Sequence, residues 1–187
     1  MDQYLDIQVL PDPEFTTNVL LGALVSKLHR GLVAIDADDI GVSFPNHAEK
    51  PRSLGDLLRI HGSRTRLNSL MDNNWLRGMA DHVAISQISD VPESVRYRIV
   101  SRRQYKTNVD RLRRRRMNRN NETWEEAVRH IPDSVKRNVK TPFVVVRSAS
   151  TGNAFSLFIQ HGDLVAEARE GRFSSYGLSK EATIPWF

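Results

Sequence analysis

Near the start of the chain Leu5, Ile7 and Val9 alternate with Asp6 and Gln8. This is the period of two that lays one strand face on a core and the other in water. Pro11 and Pro13 end that strand. Thr16 or Thr17 then caps an expected helix running to about Leu32, with Leu20, Leu24 and Leu28 on one stripe and His29 in its last turns. Residues 40–44 read as a short strand stopped by Pro45, and residues 54–60 as a third. Ser63 opens a second helix to about Leu70, and residues 82–88 form a fourth strand. The order β-α-β-β-α-β is the split βαβ arrangement of ferredoxin-like, or RRM-like, domains.

Val91-Pro92-Glu93 marks a boundary. Beyond it, residues 96–104 alternate as a strand-like segment, and Asn108 is placed to cap a helix containing RLRRRRMNR. Thr123 and Glu126 have the spacing of a capping box for a further helix, closed by Pro132. PFVVVRSAS and AFSLFIQHG flank Thr151-Gly152-Asn153, a hairpin signal, and another strand is expected at residues 164–168. The expected fold class is therefore α+β. Residues 1–94 form the ferredoxin-like domain, and residues 95–187 a diverged α+β domain carrying the arginine-rich helix and the hairpin.

Composition narrows the classes. The chain has 187 residues, 40% of them hydrophobic, with a mean hydropathy of −0.45, which suits a folded globular protein. No apolar run approaches the roughly 20 residues of a membrane span. The acidic start MDQYLDIQVL lacks the basic region of a signal peptide. There is no cysteine, which removes disulfides and thiolate metal sites and fits a cytoplasmic location.

Charge changes the picture more. From Arg96 to Arg119 the chain carries eleven Lys or Arg and one acid, Asp110; the remainder carries 16 basic and 21 acidic residues, a net of −5. Solubility does not require that concentration, whereas a phosphate backbone rewards it through counterion release. Arg111, Arg115 and Arg119 recur at i, i+4 and i+8 and line one helix face, with Arg114 beside it. Like charges four apart repel, and Leu112 and Met117 supply little burial, so something anionic should complete this helix. Arginine forks bidentately onto guanine, which favours recognition of a base pattern over bulk charge. A solvated basic helix, an acidic protein partner and duplex DNA remain as alternatives at this point.

For chemistry, the histidines show no HxH or HExxH spacing, and the one DxD pair, Asp36 and Asp38, lies in an acidic loop that more often caps or solvates than binds metal. RNA can be cut without a metal, because its own 2′-hydroxyl attacks the phosphodiester once a base removes the proton; histidine suits that task near neutral pH. Spacing alone does not choose among six histidines.

The ordered set of local sequences resembles the CRISPR repeat-RNA endoribonuclease family of subtype I-F. The resemblance is carried by MDQYLDI at the start, KLH ending at His29, IGVSFP at 40–45, SRRQ at 101–104, RLRRR, and HIPD at 130–133. It continues through RSASTG at 147–152, FSLFI at 155–159, SYGLSK at 175–180 and the terminal PWF. It implies a metal-independent endoribonuclease with no cofactor. Such an enzyme binds the CRISPR repeat hairpin, cuts precursor crRNA at the hairpin's 3′ base to leave a 2′,3′-cyclic phosphate and a 5′-hydroxyl, and stays in the crRNA-guided surveillance complex with its other subunits. No membrane and no small-molecule substrate are implied. On the same resemblance His29 is the general acid or base, Ser148 holds the attacking hydroxyl with Ser150 in support, and Tyr176 orients the histidine. Arg102 and Gln104 read base edges, Phe155 stacks under the closing pair, and Arg115 and Arg119 enter the major groove. Asn108, Arg111, Arg114 and Arg116 complete the RNA-binding set. An RNA-hairpin-binding assembly subunit with little turnover is the rival reading.

Overall fold

The computed structural model describes residues 1–105, 109–132, 139–148 and 152–187. Two compact units emerge: Met1–Arg103 with Thr141–Phe187, and Gln104–Lys140.

In the larger unit, β1 (Gln3–Val9) buries every second side chain, as its alternation predicts. Helix α1 (Thr17–Ala34) leads to β2 (Gly41–Ser43), and a small ribbon of β3 (Ala48–Glu49) and β4 (Arg52–Ser53) precedes β5 (Leu57–Gly62). Helix α2 (Arg64–Asp72), capped by the Ser63 hydroxyl, leads to β6 (Val83–Ile85). The sheet order is β2-β5-β1-β6 with antiparallel neighbours throughout, and each helix connects the strands that the split βαβ pattern demands. Leu21, Leu24 and Leu28 of α1 and Leu67 and Leu70 of α2 close over Ile7, Leu58 and Ile60 in one core.

Three of the boundaries that differ from expectation bear on the site or have a local reason. The third strand starts at Leu57 rather than Leu54, because the Gly55 N–H bonds the Ser53 hydroxyl in a turn. The fourth strand stops at Ile85, where the Ser86 hydroxyl takes the Asp6 N–H; pairing to β1 resumes in β7 (Ser89–Asp90). Helix α1 continues to Ala34, so no basic side chain lies in its last turn and His29 does not serve as a helix-end charge.

The strand-like segment after residue 95 is broken at Ile99 into β8 (Arg96–Arg98) and β9 (Val100–Arg103). Strands β10 (Phe143–Arg147) and β11 (Ala154–His161) form the expected hairpin, and the sheet order is β10-β11-β9. The chain closes with β12 (Ile184–Trp186) against β8. The strand expected at residues 164–168 is not formed. Val165 makes a single bridge to Tyr97, because β8 is only three residues long, and Leu164 is 40% exposed with no face to bury.

Val100, Val144, Val146, Leu157 and Ile159 join the same core as the first sheet, so the hairpin is packed onto the ferredoxin-like layer. Buried Arg59 lies between the rings of Tyr4 and Phe187, at 4.7 and 4.0 Å, and donates to both Asp6 carboxylate oxygens and to the Phe187 carbonyl. Among the described residues no helix is long and apolar enough to cross a membrane.

The smaller unit is a helix pair. Helix α3 (Val109–Asn120) packs on α4 (Trp124–His130), whose start carries the full capping box between Thr123 and Glu126. Asn108, proposed as the cap of α3, lies outside the described residues.

Candidate active site and nucleic-acid interface

Helix α1 approaches β10 unusually closely, and one glycine permits it. A Cβ on Gly22 would stand 2.3 Å from the Val145 carbonyl oxygen, a distance no side chain tolerates. One turn later the Ser26 hydroxyl accepts the Arg147 N–H at 3.4 Å. Four residues of helix advance about 6 Å and two of strand about 6.6 Å, so helix and strand stay in step. The next turn of α1 carries His29, and β10 ends one residue before Ser148. Ser148 is held there by the hairpin turn: its N–H donates to the Asn153 carbonyl and its carbonyl accepts the Gly152 N–H, both at 2.9 Å.

His29 is half-buried and held on two sides. Its ring lies on that of Tyr176 with centroids 4.1 Å apart and planes within 2°. Its Nδ1 is 2.9 Å from the Ser175 carbonyl oxygen. A carbonyl only accepts, so Nδ1 carries the proton and Nε2 keeps the lone pair in the neutral ring. Nε2 makes no hydrogen bond to a described residue.

A tight turn presents Ser175 and Tyr176. The Gly177 N–H bonds the Ser174 carbonyl at 2.7 Å, and the Val42 N–H of β2 bonds the Gly177 carbonyl at 2.9 Å. Gly177 has φ of 68°, and a Cβ there would strike the Val42 side chain at 2.6 Å, so glycine is required on both counts. Burial pushes the Tyr176 phenol above its ordinary pKa, with the Arg102 charge opposing, so the hydroxyl stays neutral. The Arg102 guanidinium in turn lies 5.3 Å from the centre of the Phe155 ring, which is half-buried against the core.

His29, Ser148, Phe155, Tyr176 and Arg102 thus belong to one unit, in which His29 stacks on Tyr176 and Arg102 lies over Phe155. The family resemblance named these five as candidates, but it did not name the Ser175 carbonyl or Gly22. A backbone carbonyl leaves no trace in residue identity. Gly22 did leave one: a glycine inside a helical pattern costs about 1 kcal/mol against alanine, which asks for a packing reason. Ser150 lies outside the described residues.

The remaining candidates belong to the helix-pair unit. Arg113 is buried and donates twice to the Ile131 carbonyl, at 2.9 and 2.8 Å. Arg116 forks onto both Glu122 carboxylate oxygens at 2.6 and 2.9 Å, and this hydrogen bonding holds the Glu122 pKa below its ordinary value. Sequence reasoning treated the arginines as one set, whereas two of them tie α3 to α4 and its flanks. Arg111, Arg114, Arg115 and Arg119 are exposed, as is Gln104. Arg114, Arg115 and Arg119 have no ion pair among the described residues.

The acidic loop is also accounted for. Asp38 faces Arg172 at 3.4 Å, Asp39 pairs with Arg66 at 2.8 Å, and the Asp36 carbonyl accepts from Arg66. Among the described residues no three His, Asp or Glu side chains gather as a metal ion would need.

Comparison with known proteins gives the family. The family model described as "CRISPR-associated protein (Cas_Csy4)" matches residues 4–187. A protein of Pseudomonas aeruginosa (strain UCBPP-PA14) named "CRISPR-associated endonuclease Cas6/Csy4" is 50% identical over 187 residues, covering 100% of both chains. One of the same name from Escherichia coli (strain UTI89 / UPEC) is 46% identical over 187 residues, again covering 100% of both. A solved chain described as "An RAMP protein binding different RNA substrates" aligns over 98% of this chain and 99% of its own, at 11% identity and a TM-score of 0.35, too distant to bear on the fold. The match along nearly the whole sequence and the two full-length relatives lead to one conclusion: this chain belongs to the CRISPR-associated Cas_Csy4 family.

Proposed function

We propose that this protein is a metal-independent endoribonuclease. It binds the stem-loop of a CRISPR repeat and cuts precursor crRNA at the 3′ base of the hairpin. The observation that carries the reading is the His29 site, where a ring is fixed by Tyr176 and by the Ser175 carbonyl with its basic nitrogen uncommitted.

The step follows from that arrangement. Nε2 of His29 takes the proton of the scissile nucleotide's 2′-hydroxyl, which Ser148 holds in line. The 2′-oxygen attacks phosphorus, the bond from phosphorus to the 5′-oxygen breaks, and the proton is returned to that oxygen. The products are a 2′,3′-cyclic phosphate and a 5′-hydroxyl. Nucleophile and base are both present without a metal, and removal of the proton by a positioned histidine contributes about a hundred- to ten-thousandfold.

Residues 1–94 supply the histidine and the layer beneath it, and residues 95–187 bind the hairpin. Phe155 stacks against the last base pair, and Arg102 and Gln104 read its edges. Arg111, Arg114, Arg115 and Arg119 meet the stem from α3, while Arg116 keeps that helix in place. The product stays bound as a unit with the other subunits of a type I-F surveillance complex in the cytoplasm.

The test is incubation with a repeat hairpin, with and without a chelator, followed by end-group analysis. Cleavage in chelator to a cyclic phosphate, blocked by a 2′-deoxy substitution at the scissile nucleotide and lost in His29→Ala without loss of hairpin binding, is the expected result. Absence of cleavage by the unaltered protein leaves only a hairpin-binding subunit, and a strict metal requirement ends the mechanism.

A further inference from the structure

The sheet β10-β11-β9 turns one face to the core and the other outward. On the outward face the antiparallel register sets Phe143, Phe158 and Arg103 in one row across the three strands. The two rings are 5.3 Å apart and inclined at 50°, and Phe143 is 41% exposed. Val145, two positions along β10, is 49% exposed. Arg147 stands at the far end of the same strand face, about 13 Å from Phe143 at a strand's rise per residue. The Arg103 guanidinium donates to the Gln160 side chain on this face.

Two features make this more than scattered surface apolarity. Phe143 and Val145 are exposed side by side on one strand face, with the half-buried Phe158 ring beside Phe143, and a contiguous apolar patch of this kind marks a binding surface. In addition, none of the three strands contains an Asp or Glu, although the chain outside its arginine-rich segment is acidic overall. An exposed ring with a second beside it, flanking guanidinium groups and strands without a carboxylate are complementary to unpaired nucleotides. A base stacks on the exposed ring and phosphates meet the arginines. A paired stem does not fit, since its base faces are already stacked. An apolar protein partner would use the rings but would not call for the absence of acid.

We infer that this outer face is a second RNA-binding surface that takes single-stranded RNA continuous with the hairpin. The inference rests on the RNA-binding reading above and extends it: the hairpin is bound at one place and its unpaired flank at another. Phe143 is the stacking residue, and Arg103 and Arg147 are the phosphate contacts.

Binding of three labelled probes tests this: a blunt repeat hairpin, the same hairpin carrying about eight unpaired uridines at either end, and the uridine strand alone. The unaltered protein should bind one of the flanked hairpins more tightly than the blunt one. In Phe143→Ala that advantage should shrink roughly tenfold while the blunt hairpin binds as before, and Phe143→Trp should keep it. Arg147→Glu should act in the same direction as Phe143→Ala. If flanks add nothing for the unaltered protein, or Phe143→Ala weakens blunt and flanked hairpins equally, the second surface is overturned and the hairpin reading stands. If neither hairpin binds, the RNA reading itself falls.

Discussion

The rings of His29 and Tyr176 lie flat on one another, 4.1 Å apart between centroids, while the far edge of the imidazole is tied to the Ser175 carbonyl. A stacked face fixes the plane of the ring and the hydrogen bond fixes its rotation, so Nε2 points one way. This predicts a graded response at position 176. Tyr176→Phe keeps the stack and should cut the repeat hairpin within a fewfold of the normal single-turnover rate. Tyr176→Ala removes about 1 kcal/mol of ring interaction and should slow cutting roughly fivefold with hairpin affinity unchanged. Equal rates for Ala and Phe would show that the ring does not position the histidine.

Gly22 sets the distance between α1, which carries His29, and β10, which leads to Ser148. Gly22→Ala should cost about 1–3 kcal/mol, lowering Tm by roughly 3–10 °C, because helix or strand must move to admit the methyl group. Single-turnover cleavage should fall along with it. Ser26→Ala, on the same face, removes the long hydrogen bond from the Arg147 N–H and the 2.8 Å bond within the helix to the Gly22 carbonyl, but admits no new atom, and should lower Tm less. Calorimetry of the two variants checks the contrast, and a normal Tm for Gly22→Ala would contradict the close approach.

The arginines of α3 divide into two kinds, which salt dependence can separate. Removing an arginine that meets phosphate reduces the slope of log affinity against log salt by about one. Arg115→Ala and Arg119→Ala should do so on the repeat hairpin. Arg116→Ala should leave the slope nearly unchanged, since Glu122 already balances that charge, and should mainly loosen the helix pair. Glu122→Gln should reproduce the Arg116→Ala effect, with little added in the double variant. A full unit of slope lost in Arg116→Ala would place its charge on the RNA.

Burial pushes the pKa of His61, whose Nε2 faces the Ser43 hydroxyl at 2.9 Å, down to about 3. Burial also lowers His161 to about 3, helped by the charges of His47 and Arg98. Both rings are therefore neutral in the folded protein and take up protons on unfolding below their ordinary value near 6.5. Their stabilising effect is complete above pH about 6.5 and is lost as pH falls toward 3, by at most about 1.4 kcal/mol per pH unit for each ring. Tm should accordingly drop between pH 7 and pH 4.5. His161→Phe suits a site packed by Phe44, His47 and Trp186, and should flatten that drop. An unchanged slope in this variant would remove His161 from the account.

Short-range signals were the legible ones. The alternation around Ile7, the leucine stripe of α1, the cap at Ser63 and the capping box at Thr123 each depend on residues a few positions apart, and each reads directly from the chain. Long-range placements were not legible. Nothing local says that Arg59 will lie between Tyr4 and Phe187, or that Val165 will find one partner instead of a strand. The site divides in the same way. His29, Tyr176, Arg102 and Phe155 were named as candidates by resemblance to a family. What joins them is a backbone carbonyl, a ring stack and a helix laid against a strand, all products of tertiary packing.

That helix has a consequence beyond catalysis. Strand β10 ends its sheet, and an uncovered sheet margin invites pairing with strands from other molecules, the start of fibrous association. Here Gly22 and Ser26 press α1 along that margin and occupy it. The contact that seats α1 on β10 also keeps the molecule from templating its own aggregation on that side.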